Sequence, residues 1–182
     1  GAGGGSAARR AVTRPAAPGV RPGDLAGLRI AVVTNLLPPL FIGGYEIGAR
    51  WIVAELARRG ARLCVLACDS LDLDGAPPQR VAWSDAGDPA MTHVPLGPCV
   101  IGGGGLLQAT APLAAALRLA LQGAAGRRAA RAGLLRFRPD LILLFNPAGI
   151  VAAPLDLCRA AAAQLRVPLA AYVSDYWPVE WP

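Results

Sequence analysis

Apolar residues in this chain gather into dense blocks bounded by glycine, proline or charged residues, and the blocks differ in period. The first, LRIAVVTN (28–35), is a continuous β-branched and aliphatic run, the pattern of a parallel strand buried on both faces. A loop rich in proline and glycine, LLPPLFIGG (36–44), leads to YEIGARWIVAELARR (45–59), where the period lengthens to that of a helix. Ile47, Trp51, Ala54 and Leu56 are the expected packed face of this helix, and Gly60 its end. ARLCVLAC (61–68) repeats the strand pattern, so 28–68 reads as a βαβ unit with a right-handed crossover.

Beyond 68 the pattern loosens. DSLDLDGAPPQ is a turn-rich acidic connection, followed by short strand candidates near 80–84 and 91–96 and by GGGG at 102–105. An Ala/Leu-rich helical stretch over 106–135 is expected to bend or break around Gly123 and Gly126. FRPDLILLFN (137–146) turns directly into an apolar strand, PLDLCRAAAAQL carries a helix over 152–165, and RVPLAAYVSD (166–175) is the last strand. Five or six strands with interleaved helices predict an α/β fold with an open, doubly wound, mainly parallel sheet flanked by helices. Ligands of such sheets bind beyond the carboxyl ends of the strands. Here those tips are 35–46, 68–75, 97–105, 146–151 and 174–177.

Composition narrows the domain organisation. Of 182 residues, 37 are Ala, 22 Gly and 17 Pro, and all 18 basic side chains are Arg. The all-Arg usage looks like a coding bias and carries no mechanism. Residues 1–27 read as a flexible, low-complexity leader, leaving 28–182 as one domain. Half of the +6 net charge sits in that leader (Arg9, Arg10, Arg14 and Arg21 against Asp24). The interval 89–139 holds six arginines and no acid, which makes a peripheral membrane contact a candidate beside the plain reading of a solvated helix face. No compact basic-plus-aromatic motif points to nucleic acid. No transmembrane run and no signal-peptide pattern is evident, and the expected location is cytoplasmic, including the inner face of the membrane.

The chemistry-bearing residues fall at the strand tips. Cys64, Cys68, Cys99 and Cys158 lack metal-ligand spacing and read as buried thiols, and the single histidine, His93, cannot complete a His-rich site, so no metal is expected. Gly43-Gly44 precedes a helix whose first turn contains Glu46, so a phosphate could meet helix N–H groups there; a tight turn is the plainer alternative. Glu46 is either a substrate contact or a helix-start acid facing the dipole. Asn146 either binds a sugar hydroxyl or caps the following helix, and Asp175 either orients a hydroxylated ligand or makes an Asx turn. Asp69 ends the second strand where a ribose-binding acid would stand, but GGYEIG is not GxGxxG, and without the compact glycine turn a nicotinamide or flavin cofactor is disfavoured.

RIAVVTNLLPPLFIGGYEIGARWIVAELARRGARLCVLAC, followed by RFRPDLILLFN and VPLAAYVSDYW in that order and spacing, resembles the N-terminal domain of a GT-B type retaining glycosyltransferase of the large group 1 family. The resemblance covers 28–181 and implies a Rossmann-like half of a two-domain enzyme that moves a sugar from a nucleotide-sugar donor to an acceptor. It implies that Gly43 and Gly44 approach the donor phosphate and that Ser174, Asp175, Tyr176 and Trp177 stand where relatives have His-Asp-Tyr-Trp. Asp175 is the retained candidate catalytic residue; the histidine of that motif is Ser174 here, so its role does not carry over. The expected partners are the nucleotide-sugar as co-substrate, with no other cofactor, a small-molecule, lipid or glycan acceptor, and a C-terminal donor domain of the same protein. Residues 28–182 would then be inactive alone. A non-catalytic α/β ligand-binding or protein-interaction module is the alternative.

Overall fold

Both faces of β1 (Arg29–Thr34) are covered, which is why this strand shows no polar alternation. Ala31 and Val33 enter one apolar cluster and Ile30 and Val32 another. In the computed structural model, which describes residues 24–73, 79–80, 91–101, 113–147, 150 and 154–172, the chain continues through α1 (Gly44–Arg58), β2 (Arg62–Ala67), β3 (Ser70–Leu73), β4 (Gln79–Arg80), β5 (Met91–Pro95) and β6 (Pro98–Ile101). It then forms α2 (Leu113–Phe137), β7 (Leu141–Asn146), α3 (Pro154–Leu165) and β8 (Leu169–Ala171). Five strands make one parallel sheet in the order β5-β2-β1-β7-β8, with α1 on one face and α2 and α3 on the other. This is a doubly wound, Rossmann-like α/β fold.

A second, three-stranded sheet, β4-β3-β6, departs from the single sheet expected from the sequence. β2 ends at Ala67, and Gly97, at φ 84°, turns the chain just after β5. The Asp69 N–H donates to the Gly97 carbonyl at 3.2 Å, so both segments leave the main sheet together and pair again as β3 and β6. Residues 81–84, part of one strand candidate, and 102–105 lie outside the described residues.

The rotational phase of α1 also differs from expectation. Its buried residues are Glu46, Ala49 and Val53, whereas Ile47 is 37% and Trp51 71% exposed and Ala54 is exposed. Of the expected face only Leu56 packs against the core. The cause is Glu46, whose inward side chain fixes the turn of the helix and rotates Trp51, five residues on, to the far side. Gly60 ends α1 as expected, at φ 86° with its N–H on the Ala57 carbonyl at 2.8 Å. Leu25 and Gly27 hydrogen-bond the carbonyls of Arg59 and Gly60, so the chain is already tied to this corner before β1.

α2 runs without a break through Gly123 and Gly126, contrary to the expected bend. These glycines belong to a buried stripe with Ala130 and Gly133 that lays the helix directly on β5. A Cβ on Gly126 would stand 2.7 Å from the Leu96 carbonyl carbon and closer still to its oxygen, and one on Gly133 would meet Val94 Cγ2 at 2.8 Å. Helix ends at Phe137, where Arg138 takes φ 52° and Asp140 ties the start of β7 to Arg29, accepting its N–H through Oδ2 at 3.0 Å. The last strand, expected over 166–175, begins later, at Leu169, and among the described residues spans Leu169–Ala171; residues from 173 onward lie outside the described residues.

Candidate functional site at the switch point

From β1 the strand order proceeds outward through β2 to β5, then returns to β7 and β8 on the other side of β1. Doubly wound sheets bind ligands at such a reversal, beyond the carboxyl ends of the strands on either side of it, here β1 and β7. Asn35 and Asn146 are the residues at those ends. The Asn35 N–H donates to the Asn146 carbonyl, and the Cys68 N–H donates to the Asn35 carbonyl at 2.8 Å, so the backbone of Asn35 joins three adjacent strands at their tips.

The side chain of Asn35, 2% exposed, extends this junction to α1. Its Nδ2 donates to Glu46 Oε1 at 3.1 Å, while its Oδ1 accepts from the Leu36 N–H at 2.8 Å. Glu46, 3% exposed, uses its other oxygen for the loop: Oε2 accepts from the Gly43 N–H at 2.9 Å and the Ile42 N–H at 3.4 Å. Gly43 has no side chain with which to cap α1, so Glu46 supplies the half of a capping box that reaches back to the N-cap backbone. The buried carboxyl group thus holds the loop 36–43 to the sheet, and its polar atoms are satisfied internally rather than turned to solvent.

This loop places Gly43 and Gly44 at the amino end of α1, where an added Cβ on either would meet nothing within 4 Å. Gly43 is extended (φ −158°), so neither crowding inside the fold nor backbone conformation explains the glycine pair. Exposed Phe41 and Ile42 flank it, and on the other side Phe145 stacks on Tyr172 with centroids 4.9 Å apart. Gly48 of α1 lies under that pair, its Cβ position 3.5 Å from Phe145 Cζ.

Of the residues singled out from the sequence, Gly43 and Glu46 are joined by a hydrogen bond, and Asn35 links Glu46 to the backbone of Asn146 at the end of β7. Ser174, Asp175, Tyr176 and Trp177 lie outside the described residues. Asn35, the residue that organises the junction, was not singled out for chemistry; its signal is a polar residue ending a strand that is otherwise apolar, in VVTN. Among the described residues no three of His, Cys, Asp and Glu cluster in a way that could hold a metal ion.

All four cysteines are buried free thiols. Cys68, just past the end of β2, is hydrogen-bonded to Cys99 rather than paired with Cys64; that bond and then burial hold its pKa well above the usual thiol range. Burial pushes Cys64 and Cys158 up to about 12 from 9.0, with Arg136 opposing the shift at Cys64. An unfolded chain releases these protons near 9.0 and the folded chain only near 12. Stability is therefore undiminished by these groups below pH 9 and falls as pH rises through that window. Native chain at pH 8 is expected to react with a thiol reagent at none of the four sites within minutes, and guanidinium-unfolded chain at all four. Fast labelling of Cys64 or Cys158 in the native chain would contradict this.

No family model, no curated protein and no solved structure matches this chain.

Proposed function

We propose that residues 28–182 form the acceptor-side half of a GT-B type retaining glycosyltransferase, which transfers a sugar from a nucleotide-sugar donor to an acceptor hydroxyl. The observation that carries this reading is the glycine pair at the amino end of α1. It is held at the switch point by Glu46 and Asn35, with open space where side chains would stand. A sugar-nucleotide diphosphate could approach the backbone there closely; the Gly43 N–H is taken by Glu46, which leaves the Gly44 N–H and the helix dipole to favour the charge that develops as it leaves. The sequence resemblance gives Asp175 and its neighbours Ser174, Tyr176 and Trp177, with Asn146, the task of holding the acceptor at the anomeric carbon. Glu46 acts on this surface as a positioning residue.

One half of such an enzyme does not enclose the donor, so transfer requires a second, donor-binding domain. Residues 1–182 alone are expected to release no nucleoside diphosphate from a panel of nucleotide-sugars. The gene-encoded polypeptide that contains them is expected to do so with an acceptor present, retaining the anomeric configuration. Turnover by residues 1–182 alone, inversion in the product, or inert behaviour of the complete polypeptide across the panel would each sink this reading.

A further inference from the structure

The outward face of α2 presents two exposed leucines beside exposed Arg118, then a cationic cluster further along, and the helix contains no acidic residue. Leu117 and Leu121, one turn apart, are 57% and 61% exposed. The helical period carries the same stripe through Ala124 to Arg128 and Arg131. The phase is fixed by the opposite side, where Gly126, Ala130 and Leu134 are buried against the sheet. Arg127, Arg128 and Arg131 line a shallow groove with Ala124 and with Leu157 of α3. Arg131 donates to Gln164 Oε1 at 3.3 Å, and none of the three arginines is ion-paired among the described residues. The neighbouring turn of α3 adds exposed Asp156 and Arg159, whose charges cancel.

Three guanidinium groups without an ion partner among the described residues match phosphate oxygens. A free phosphate, however, would leave the two bare leucines without a role. An anionic bilayer engages both ends of the stripe: arginines at the headgroup phosphates and leucines at the acyl boundary, as in helices that lie in the membrane interface. We propose that α2 docks side-on to an anionic lipid bilayer, with Leu117 and Leu121 in the interfacial layer and Arg127, Arg128 and Arg131 on lipid phosphates. α2 runs antiparallel to β5, since Gln122 lies by Gly97 and Gly133 by Val94. Its leucine end is therefore the end nearer the carboxyl edge of the sheet, while α1 and its glycine pair lie on the sheet's opposite face. Among the described residues no helix is long and apolar enough to cross a membrane, so the contact is peripheral. Docking of this kind needs no catalytic activity and stands apart from the sugar-transfer reading.

The test is sedimentation of the 182-residue chain with vesicles of phosphatidylcholine alone and with about 30% phosphatidylglycerol, at about 0.01 M and about 1 M salt. Wild type is expected to pellet with the anionic vesicles at low salt and to stay in the supernatant when mixed with neutral vesicles. An Arg127→Gln/Arg128→Gln/Arg131→Gln variant should bind on the order of a hundred-fold more weakly, and Arg128→Gln alone about fivefold, from roughly 1 kcal/mol per basic residue at an anionic surface. Leu117→Gln/Leu121→Gln should weaken binding about tenfold while the salt dependence remains. These side chains are exposed, so circular dichroism and melting should not change. Several outcomes overturn the proposal. They are no binding at low salt, equal binding by wild type and the arginine variants (which assigns it to the basic residues of 1–27), and full displacement by millimolar inorganic phosphate, which marks a small-anion site.

Discussion

Replacing Gly126 by alanine is expected to destabilise the chain by about 2 kcal/mol or more, although alanine is the better helix former. The new Cβ would meet the Leu96 carbonyl, a backbone group that cannot rotate away, because Leu96 is fully buried and its N–H is bonded to the Ala67 carbonyl at 2.9 Å. Relief requires α2 to lift from β5. Overpacking of this kind costs about 3 kcal/mol at the upper end of its usual range, and the gain in helix propensity returns about 1 kcal/mol. A domain of this size should lose roughly 5 °C in Tm. Gly133→Ala presses on a side chain, Val94, and should cost less; Gly44→Ala enters open space and should leave Tm unchanged. Thermal melts of the three variants in parallel check the ranking. A Gly126→Ala variant as stable as wild type would mean that α2 does not lie this close to β5.

Glu46→Ala is expected to cost about 3 kcal/mol and to act on the loop more than on the helix. It removes the acceptor for the Asn35 amide and for the Gly43 and Ile42 N–H groups together. A buried donor left without a partner costs about 1–3 kcal/mol, and part of this is recovered where Ile42 and Gly43 reach water. Glu46→Gln should be nearly as harmful, since its amide nitrogen turns a donor towards either Asn35 Nδ2 or the loop N–H groups. Hydrogen exchange provides the distinguishing readout: protection at Gly43 should fall while the amides of Val53 and Leu56 stay protected. Asn35→Ala combined with Glu46→Ala should cost less than the sum of the two, because the pair shares one bond. Additive costs would remove the junction from this account.

The two positions illustrate what the sequence does and does not carry. β1, α1 and β2 are legible because their periods are long and uninterrupted, and Gly60 marks the helix end for a local reason, its positive φ. The phase of α1 is not legible from side-chain size and apolar area: Trp51 and Ile47 offer more of both than Glu46 and Ala49, yet they face outward. A buried polar contact eleven residues apart in sequence turns the helix the other way. Gly123 and Gly126 read as breaks because propensity is local, whereas their cause is the carbonyl of Leu96 approaching from another element. Half of the candidate site follows the same rule. Gly43, Gly44 and Glu46 stand together within one turn, but their junction with Asn35 and Asn146 depends on the order of strands, and composition does not specify strand order. RVPLAAYVSD looks like a full strand from its first residue, yet among the described residues ladder pairing with β7 starts at Leu169 and covers Leu169–Ala171.

The claim that the loop between β1 and α1 faces a sugar-nucleotide diphosphate is tested most directly by amide chemical shifts. Uniformly 15N-labelled chain would be titrated with uridine diphosphate and, separately, guanosine diphosphate. On the two-domain reading proposed above, binding by residues 1–182 alone should be weak, with Kd on the order of 1 mM or above. The account predicts saturable shifts centred on Gly43, Gly44 and Tyr45, lost in Gly44→Val, with the amides along α2 unmoved. Shifts confined to Arg127, Arg128 and Arg131, or none with either nucleotide at about ten times that concentration, would contradict it.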